Sequence, residues 1–210
     1  MEPLHRRIAE VALRAAEPFG FCLAGGYAVQ EHGLVHRRSE DVDLFTTAAT
    51  QADFDTAVDM IVAALAGDGL VVEVTRRADT FARLVVADPT AGTGAHLDLG
   101  VDWRAHPPAR LAVGPVLHLD DAVANKICAL YSRAEVRDYV DVHGILGSGR
   151  YDPPDLLRLA AEHDPGFDRP IFAQALRAVD RVPDVAFAVY GLSPSDAAAL
   201  RLRSSAGPTR

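Results

Sequence analysis

The stretch of sequence that decides the fold is FCLAGGYAVQEHGLVHRRSEDVDLF, residues 21–45. A short apolar run ends at Gly25-Gly26, and the residues that follow have helical character up to the next glycine. The last five residues alternate polar and apolar side chains with the period of a β-strand, so Asp41 and Asp43 share one face. The segment therefore predicts a strand, a glycine turn, a helix and a second strand that carries two carboxylates.

These two aspartates indicate a site for divalent metal. Their like charges repel each other unless a cation lies between them, and Mg²⁺ prefers carboxylate oxygens together with substrate phosphates. Gly25 and Gly26 allow a ligand close to the backbone, and the following helix N-terminus suits a triphosphate. We therefore predict that Asp41 and Asp43 bind Mg²⁺ or Mn²⁺, that both glycines bind nucleotide, and that an NTP is the substrate.

A third carboxylate is expected on a neighbouring strand. Asp98 lies between Leu97 and Leu99, which point to the opposite, core-facing side, so its carboxylate belongs to the polar face. Asp102 is the competing candidate, four residues later on the same face but nearer the end of the strand. Asp98 is preferred as the third metal ligand and proton acceptor.

The rest of the chain divides into a mixed half and a helical half. Helical periodicity or strand alternation places helices at 4–17 and 51–66 and strands at 70–75, 80–87 and 95–101. Beyond these strands, the pattern becomes almost wholly helical, at 120–132, 136–146, 154–163, 171–179 and 195–202. We predict an α+β protein with an α/β domain at residues 1–117 and an α-helical domain at 118–210.

Composition narrows the functional classes. The formal net charge of −8 argues against a protein that coats nucleic acid, although arginine clusters can hold phosphates locally. The histidines and the two cysteines show no zinc-ligand spacing. No apolar run approaches the ~20 residues of a membrane span, and no secretory signal is visible, so we expect a cytoplasmic protein without membrane contact. The only lysine is Lys126, which suggests a need for an ammonium group there.

Two sets of residues resemble a known family. Residues 23–28 and 38–45 look like the nucleotidyltransferase signature of the DNA polymerase β-like superfamily. Residues 125–133 and 137–142 resemble the Lys…Arg…Arg-Asp…Asp helix pair of the AbiEii/MenT family, which comprises toxins of type IV toxin–antitoxin and abortive-infection systems. The resemblance implies a polymerase β-like core, with a mixed sheet and flanking helices, followed by the helical C-terminal domain.

The resemblance also assigns roles in the second half. It implies that Lys126 contacts the triphosphate and that Asp141 is a further active-site residue. Arg133 and Arg137 fall on nearly the same side as Lys126 and can add positive charge toward the polyphosphate. Asp138 and Asp141 are alternatively salt-bridge partners that orient these arginines.

Two positions near the aspartate pair stand out against the family pattern. Ser39, assigned to nucleotide binding, matches a hydroxyl that is phosphorylated in some relatives to silence the toxin; otherwise it shapes the turn. Gly26 is a departure, because many relatives have Gly-Ser where this chain has Gly25-Gly26. Backbone amides then replace a serine contact to the phosphates.

These assignments predict a nucleotidyltransferase reaction. An acceptor hydroxyl attacks the α-phosphate of an NTP and pyrophosphate leaves. The family resemblance implies that the acceptor is the 3′ end of a tRNA and that a cognate antitoxin is a partner. Two alternatives are a small-molecule nucleotidyltransferase of the aminoglycoside or lincosamide kind and a catalytically silent module that binds nucleotide or a partner.

Overall fold

The computed structural model describes residues 1–206; the last residues of the predicted helical domain, 207–210, lie outside this range. The described part contains seven strands: β1 (Cys22–Leu23), β2 (Asp41–Thr46), β3 (Val71–Ala78), β4 (Phe81–Asp88), β5 (Thr93–Val101), β6 (Ala109–Leu111) and β7 (Gly114–Val116). It also contains nine α-helices: α1 (Pro3–Ala15), α2 (Gly25–Glu31), α3 (Phe54–Gly67), α4 (Leu119–Ser132), α5 (Val136–Gly147), α6 (Pro153–His163), α7 (Arg169–Arg177), α8 (Asp184–Ala188) and α9 (Pro194–Ala206).

All seven strands form one mixed sheet in the order β3-β4-β5-β2-β1-β7-β6. β2 runs parallel to β5 and β1 runs parallel to β7, whereas the other neighbours are antiparallel. Helices α1 and α3 pack against each other, and α1 contacts both central strands β2 and β5. The predicted mixed sheet with flanking helices is therefore confirmed.

The central strand β2 separates an apolar face from a polar one. Val42 and Leu44 are completely buried, whereas Asp41 and Asp43 are half-buried. Because successive side chains of a strand point to opposite faces, this alternation places both carboxylates on the side away from the apolar core. Burial of the apolar face fixes the register, since a slip of one residue would bury both charges.

The chain forms two compact units. The first comprises Met1–Glu31 and Arg38–Leu119 and holds the sheet, and the second comprises His32–Arg37 and Asp120–Arg210. Within the second unit, α9 contacts α5, α7 and α8. None of the helices in residues 1–206 is long and apolar enough to cross a membrane.

Three short elements escape the sequence patterns. Strands β6 and β7 have three residues each, and a glycine and a proline open β7. Helix α8 has five residues, too few to show a helical period. The predicted helix at 51–66 begins later, at Phe54, because the preceding residues Ala48–Asp53 form a 3-10 turn.

Candidate active site

Three carboxylates lie on the polar face of the sheet in the first unit. In the parallel pair β2–β5, Asp43 stands directly beside Asp98, and Asp41 stands two positions along the same face. Asp98 is 7% exposed. Asp102 follows the last paired position of β5, and its carboxylate accepts a hydrogen bond of 2.8 Å from the backbone N–H of Trp103. The register therefore brings Asp98, and not Asp102, next to Asp43.

Gly25 packs so closely against the Asp43 side chain that no side chain fits at position 25. Its φ is +59°, and a Cβ atom built there would lie 1.8 Å from Asp43 Oδ2. The backbone N–H of Ala24 donates a 2.8 Å hydrogen bond to the carbonyl of Asp43, which fixes the turn against β2. A side chain at Gly25 would therefore displace the carboxylate. The next residue, Gly26, is buried at the start of α2.

Arg83 is a member of this face that sequence reasoning missed. It stands opposite Asp98 in the β4–β5 ladder, and its Nε and Nη2 donate to the two Asp98 oxygens at 2.7 and 2.6 Å. Hydrogen bonding to Asp98 is the main cause that raises the pKa of Arg83, and the charges of Asp41 and Asp43 contribute further. Its only sequence signal was a charged residue in the predicted strand 80–87, which precedes the strand of Asp98 in the chain.

Ser39 lies buried just before β2. It is 5% exposed, and its hydroxyl is 3.4 Å from the carbonyl oxygen of Asp41, to which it donates. The hydroxyl of Tyr27 in α2 lies 3.4 Å from the carbonyl of Ser39 and 2.5 Å from His5 Nδ1. These contacts hold the segment that enters β2.

The second unit contains a buried cluster of two cations and one carboxylate. Asp141 of α5 is completely buried and accepts bonds of 2.6 and 2.7 Å from Nε and Nη2 of Arg37. The Lys126 ammonium of α4 lies 3.0 Å from Asp141 Oδ2, and the lysine is 6% exposed. Arg37 is itself 6% exposed and its guanidinium lies 5.6 Å from the centre of the Tyr190 ring.

The opposite charges in this cluster shift the pKa values of Asp141 and Arg37. Burial alone would raise the pKa of Asp141, but Lys126 and Arg37 outweigh burial and hold that pKa below its usual value. Burial lowers the pKa of Arg37, but its bonds to Asp141 reverse that effect and raise it. Asp141 is therefore ionised and Arg37 protonated at neutral pH. Sequence reasoning had assigned Arg37 only to an arginine cluster that holds phosphates or forms salt bridges.

Of the other predicted basic residues, Arg133 directly follows α4 and Arg137 lies in the first turn of α5. Arg133 donates to both oxygens of the fully buried Asp138, at 3.0 and 2.9 Å, which agrees with the salt-bridge interpretation of that aspartate. Arg137 Nε lies 2.9 Å from a Glu135 oxygen. Asp138 and Glu135 also form a reciprocal capping box that starts the helix.

The donor set on the sheet fits a hard divalent cation. Asp41, Asp43 and Asp98 offer carboxylate oxygens, the ligands that Mg²⁺ and Mn²⁺ prefer. Asp41 and Asp43 are half-buried, so neither residue is sealed off from solvent. Each cation bound there relieves the repulsion between neighbouring carboxylates.

Comparison with known proteins gives a family match and several matching folds. The family described as "Nucleotidyl transferase AbiEii toxin, Type IV TA system" matches residues 12–188. No curated protein matches the chain.

Among solved structures, the nucleotidyltransferase toxin MenT4 from Mycobacterium tuberculosis is 19% identical, with a TM-score of 0.64 over 97% of this chain and 82% of that one. JHP933 from Helicobacter pylori is 16% identical, with a TM-score of 0.60 over 97% and 90% of the two chains. The antibiotic-resistance factor ANT(2'')-Ia is 17% identical, with a TM-score of 0.53 over 77% and 92%.

Proposed function

Because the chain belongs to the AbiEii family of nucleotidyltransferase toxins of type IV toxin–antitoxin systems, we propose that it transfers a nucleotidyl group to a tRNA 3′ end. The donor is an NTP, and the reaction depends on Mg²⁺ or Mn²⁺. In this proposal an acceptor hydroxyl attacks the α-phosphate and pyrophosphate leaves. The toxin acts in the cytoplasm and a cognate antitoxin opposes it.

The observation that carries the metal-dependent part is the register between β2 and β5. It sets Asp43 beside Asp98 with Asp41 on the same face, while Gly25 leaves the space that the Asp43 carboxylate occupies. Sites for in-line phosphoryl displacement need several carboxylates that hold cations against the attacking and leaving oxygens. The arrangement supplies these carboxylates on rigid strands rather than on loops.

Each residue has a distinct task in the proposal. Asp41, Asp43 and Asp98 hold the divalent ions, which supply Lewis-acid stabilisation of phosphate charge when bound. Asp98 also accepts the proton of the acceptor hydroxyl. Gly25 and Gly26 let the backbone approach the triphosphate, and the segment at Ser39 positions the strand that carries the aspartate pair.

Lys126 contributes a positive charge to the triphosphate. The family resemblance assigns this contact to Lys126, whose ammonium lies 3.0 Å from Asp141 Oδ2. This ion pair holds the lysine side chain in place. Arg133 and Arg137 add positive charge on the same helix pair.

A second candidate acceptor is a small cationic molecule. The fold likeness to the antibiotic-resistance factor ANT(2'')-Ia and the net charge of −8 favour it over a polyanionic acceptor. Family membership outweighs these observations because it covers most of the chain. The tRNA acceptor is therefore the proposal and the antibiotic is its rival.

The test is transfer of a labelled nucleotide. The protein is incubated with each α-labelled NTP and Mg²⁺, together with total RNA in one reaction and aminoglycosides in another. We expect labelled tRNA, and a loss of at least about 10²-fold in Asp41→Ala/Asp43→Ala.

The matched control is Asp55→Ala/Asp59→Ala, which removes the same charge from an exposed face of α3. Label that persists in Asp41→Ala/Asp43→Ala contradicts the site. Labelled aminoglycoside without labelled tRNA contradicts the acceptor. Growth arrest on expression of the wild type, absent with Asp41→Ala/Asp43→Ala, supports the toxin role.

A further inference from the structure

Arg83 holds one of the three proposed metal ligands by a two-bond fork. Both oxygens of Asp98 accept from it, at 2.7 and 2.6 Å. Planar guanidinium and carboxylate groups match in this geometry, which makes the pair directional as well as charged. A divalent ion that approaches Asp98 therefore meets a resident cation and an occupied carboxylate edge.

The fork is partly open to solvent. The Arg83 side chain is 43% exposed, whereas the Asp98 side chain is 11% exposed. Water can solvate the exposed guanidinium once it leaves, so the cost of opening the fork falls mainly on the nearly buried Asp98 carboxylate. A cation that binds Asp98 removes that cost, while the carboxylate stays on its strand.

Arg83 brings a positive charge to the polar face that carries Asp41, Asp43 and Asp98. Arg83 stands opposite Asp98 in the β4–β5 ladder, and Asp98 stands beside Asp43 and two positions from Asp41, so the guanidinium lies on the same face as all three carboxylates. It thus lowers the repulsion between them in the protein without metal. A divalent ion performs the same task with twice the charge.

We propose that Arg83 is a positioning residue that competes with a divalent cation for Asp98. In the metal-free protein it keeps the third carboxylate neutralised and oriented beside Asp43. Loading of the site requires the fork to open, so Arg83 sets the affinity for the ion that Asp98 helps to hold. This inference rests on the proposed metal-dependent function.

The experiment measures Mn²⁺ binding directly, by electron paramagnetic resonance of free Mn²⁺ in titrations of the full chain. Arg83→Gln removes the competing charge and the fork, and we expect Mn²⁺ to bind about tenfold more tightly. Arg83→Lys keeps the charge without a planar fork, and its affinity should lie between the two. Circular dichroism melting confirms that each variant is folded at the temperature used.

Arg77→Gln is the matched control. Arg77 is 36% exposed on the neighbouring strand β3 and also bonds to two aspartates, Asp55 and Asp59, on α3. It tests whether the loss of any one arginine charge from this unit is sufficient to tighten Mn²⁺ binding. We expect less than about a twofold change, since Arg77 bonds to Asp55 and Asp59 of α3 and not to Asp98. An equal gain in both arginine variants overturns the proposal.

An Asp98→Asn background separates competition from a general field effect. If Arg83 acts through Asp98, adding Arg83→Gln to Asp98→Asn should change the Mn²⁺ affinity by less than about twofold. A gain as large as in the wild-type background, or no gain from Arg83→Gln alone, overturns the inference.

The proposed function fails in a different way. If Mn²⁺ binds the wild type no better than Asp41→Ala/Asp43→Ala, the metal site itself is wrong and the role of Arg83 falls with it. If the wild type binds Mn²⁺ through Asp41 and Asp43 but Arg83→Gln binds it equally well, only the inference about Arg83 fails.

Discussion

Two of the arginine–aspartate forks described above, one in each unit, have the same bond geometry and different surroundings. Arg83–Asp98 and Arg37–Asp141 are both two-bond pairs at 2.6 to 2.7 Å. The Arg83 side chain is 43% exposed, whereas those of Arg37 and Asp141 are 3% and 0% exposed. Water can therefore solvate Arg83 once it leaves its partner, but not Arg37, although the Asp98 side chain is itself only 11% exposed. The first fork suits exchange, and the second suits permanent support of Lys126.

The largest effect on stability is expected when the buried carboxylate Asp141 is neutralised, with neutralisation of Asp98 as the comparison. Asp141→Asn leaves Arg37 and Lys126 buried without a counter-charge and should lower the free energy of unfolding by about 3–5 kcal/mol. Asp98→Asn removes one of several repelling carboxylates from a partly exposed pair, so the loss should stay under about 1 kcal/mol. Urea denaturation of both variants measures the difference. Equal losses would remove the contrast between the forks.

Low pH should reproduce part of the stability loss that is expected of Asp141→Asn. Burial alone raises the pKa of Asp141, but Lys126 and Arg37 lower it by more, so the folded pKa lies below the ordinary value. A depressed pKa stabilises the fold above the unfolded value and loses that contribution as pH falls through the folded value.

The measurement for this pH effect is urea unfolding of the wild type and Asp141→Asn between pH 7 and pH 3. The stability advantage of the wild type should be constant from neutral pH down to about pH 5 and should shrink below it. An advantage that persists unchanged in acid, or that shrinks on the alkaline side instead, would show that Asp141 is not held ionised by its neighbours.

A smaller effect is expected when the buried fork loses its shape but keeps its charge. Arg37→Lys retains the positive charge beside Asp141 and removes one of the two parallel bonds. The cost should be about 1–2 kcal/mol, because hydrogen bonds to charged groups contribute more than neutral ones. Arg83→Lys, the same change in the exposed fork, is the matched control and should change stability by less than about 0.5 kcal/mol. Thermal and urea unfolding give both values.

The smallest effect concerns Asp102. It lies beyond the last β2–β5 pair and accepts a bond from the backbone of Trp103, so it belongs to neither fork. Asp102→Asn keeps that acceptor, and its unfolding free energy should change by under about 0.5 kcal/mol. Nucleotide transfer should stay within about twofold of the wild type. A loss comparable to that in Asp98→Asn would make Asp102 the third carboxylate.

Local patterns were sufficient to predict the polar face of the sheet. Alternation along residues 41–45 and around Asp98 assigned each side chain to a face, and a parallel register then joined the two strands. The signal is local because burial of Val42 and Leu44 leaves only one face for the carboxylates. The short strands β6 and β7 carried no comparable pattern.

The arginines of the two forks could not be placed in the same way. Arg37 lies in a segment without regular secondary structure and bonds to Asp141, 104 positions later in the chain. No local periodicity of the sequence encodes a contact of that length. Arg83 lies in a predicted strand, but its pairing with Asp98 depends on the register of the hairpin. The segment His32–Arg37 belongs to the second unit, although it precedes most of the first unit in the sequence.

That segment has a consequence for how the chain is made. Arg37 leaves the ribosome 104 residues before Asp141, an interval of about 5–20 s at ordinary rates of synthesis. Throughout that interval, its guanidinium has no buried carboxylate to join. The buried charged cluster of the helical unit can therefore form only after α5 has been translated. In a nascent chain stalled before that point, Lys126 has no Asp141 to pair with.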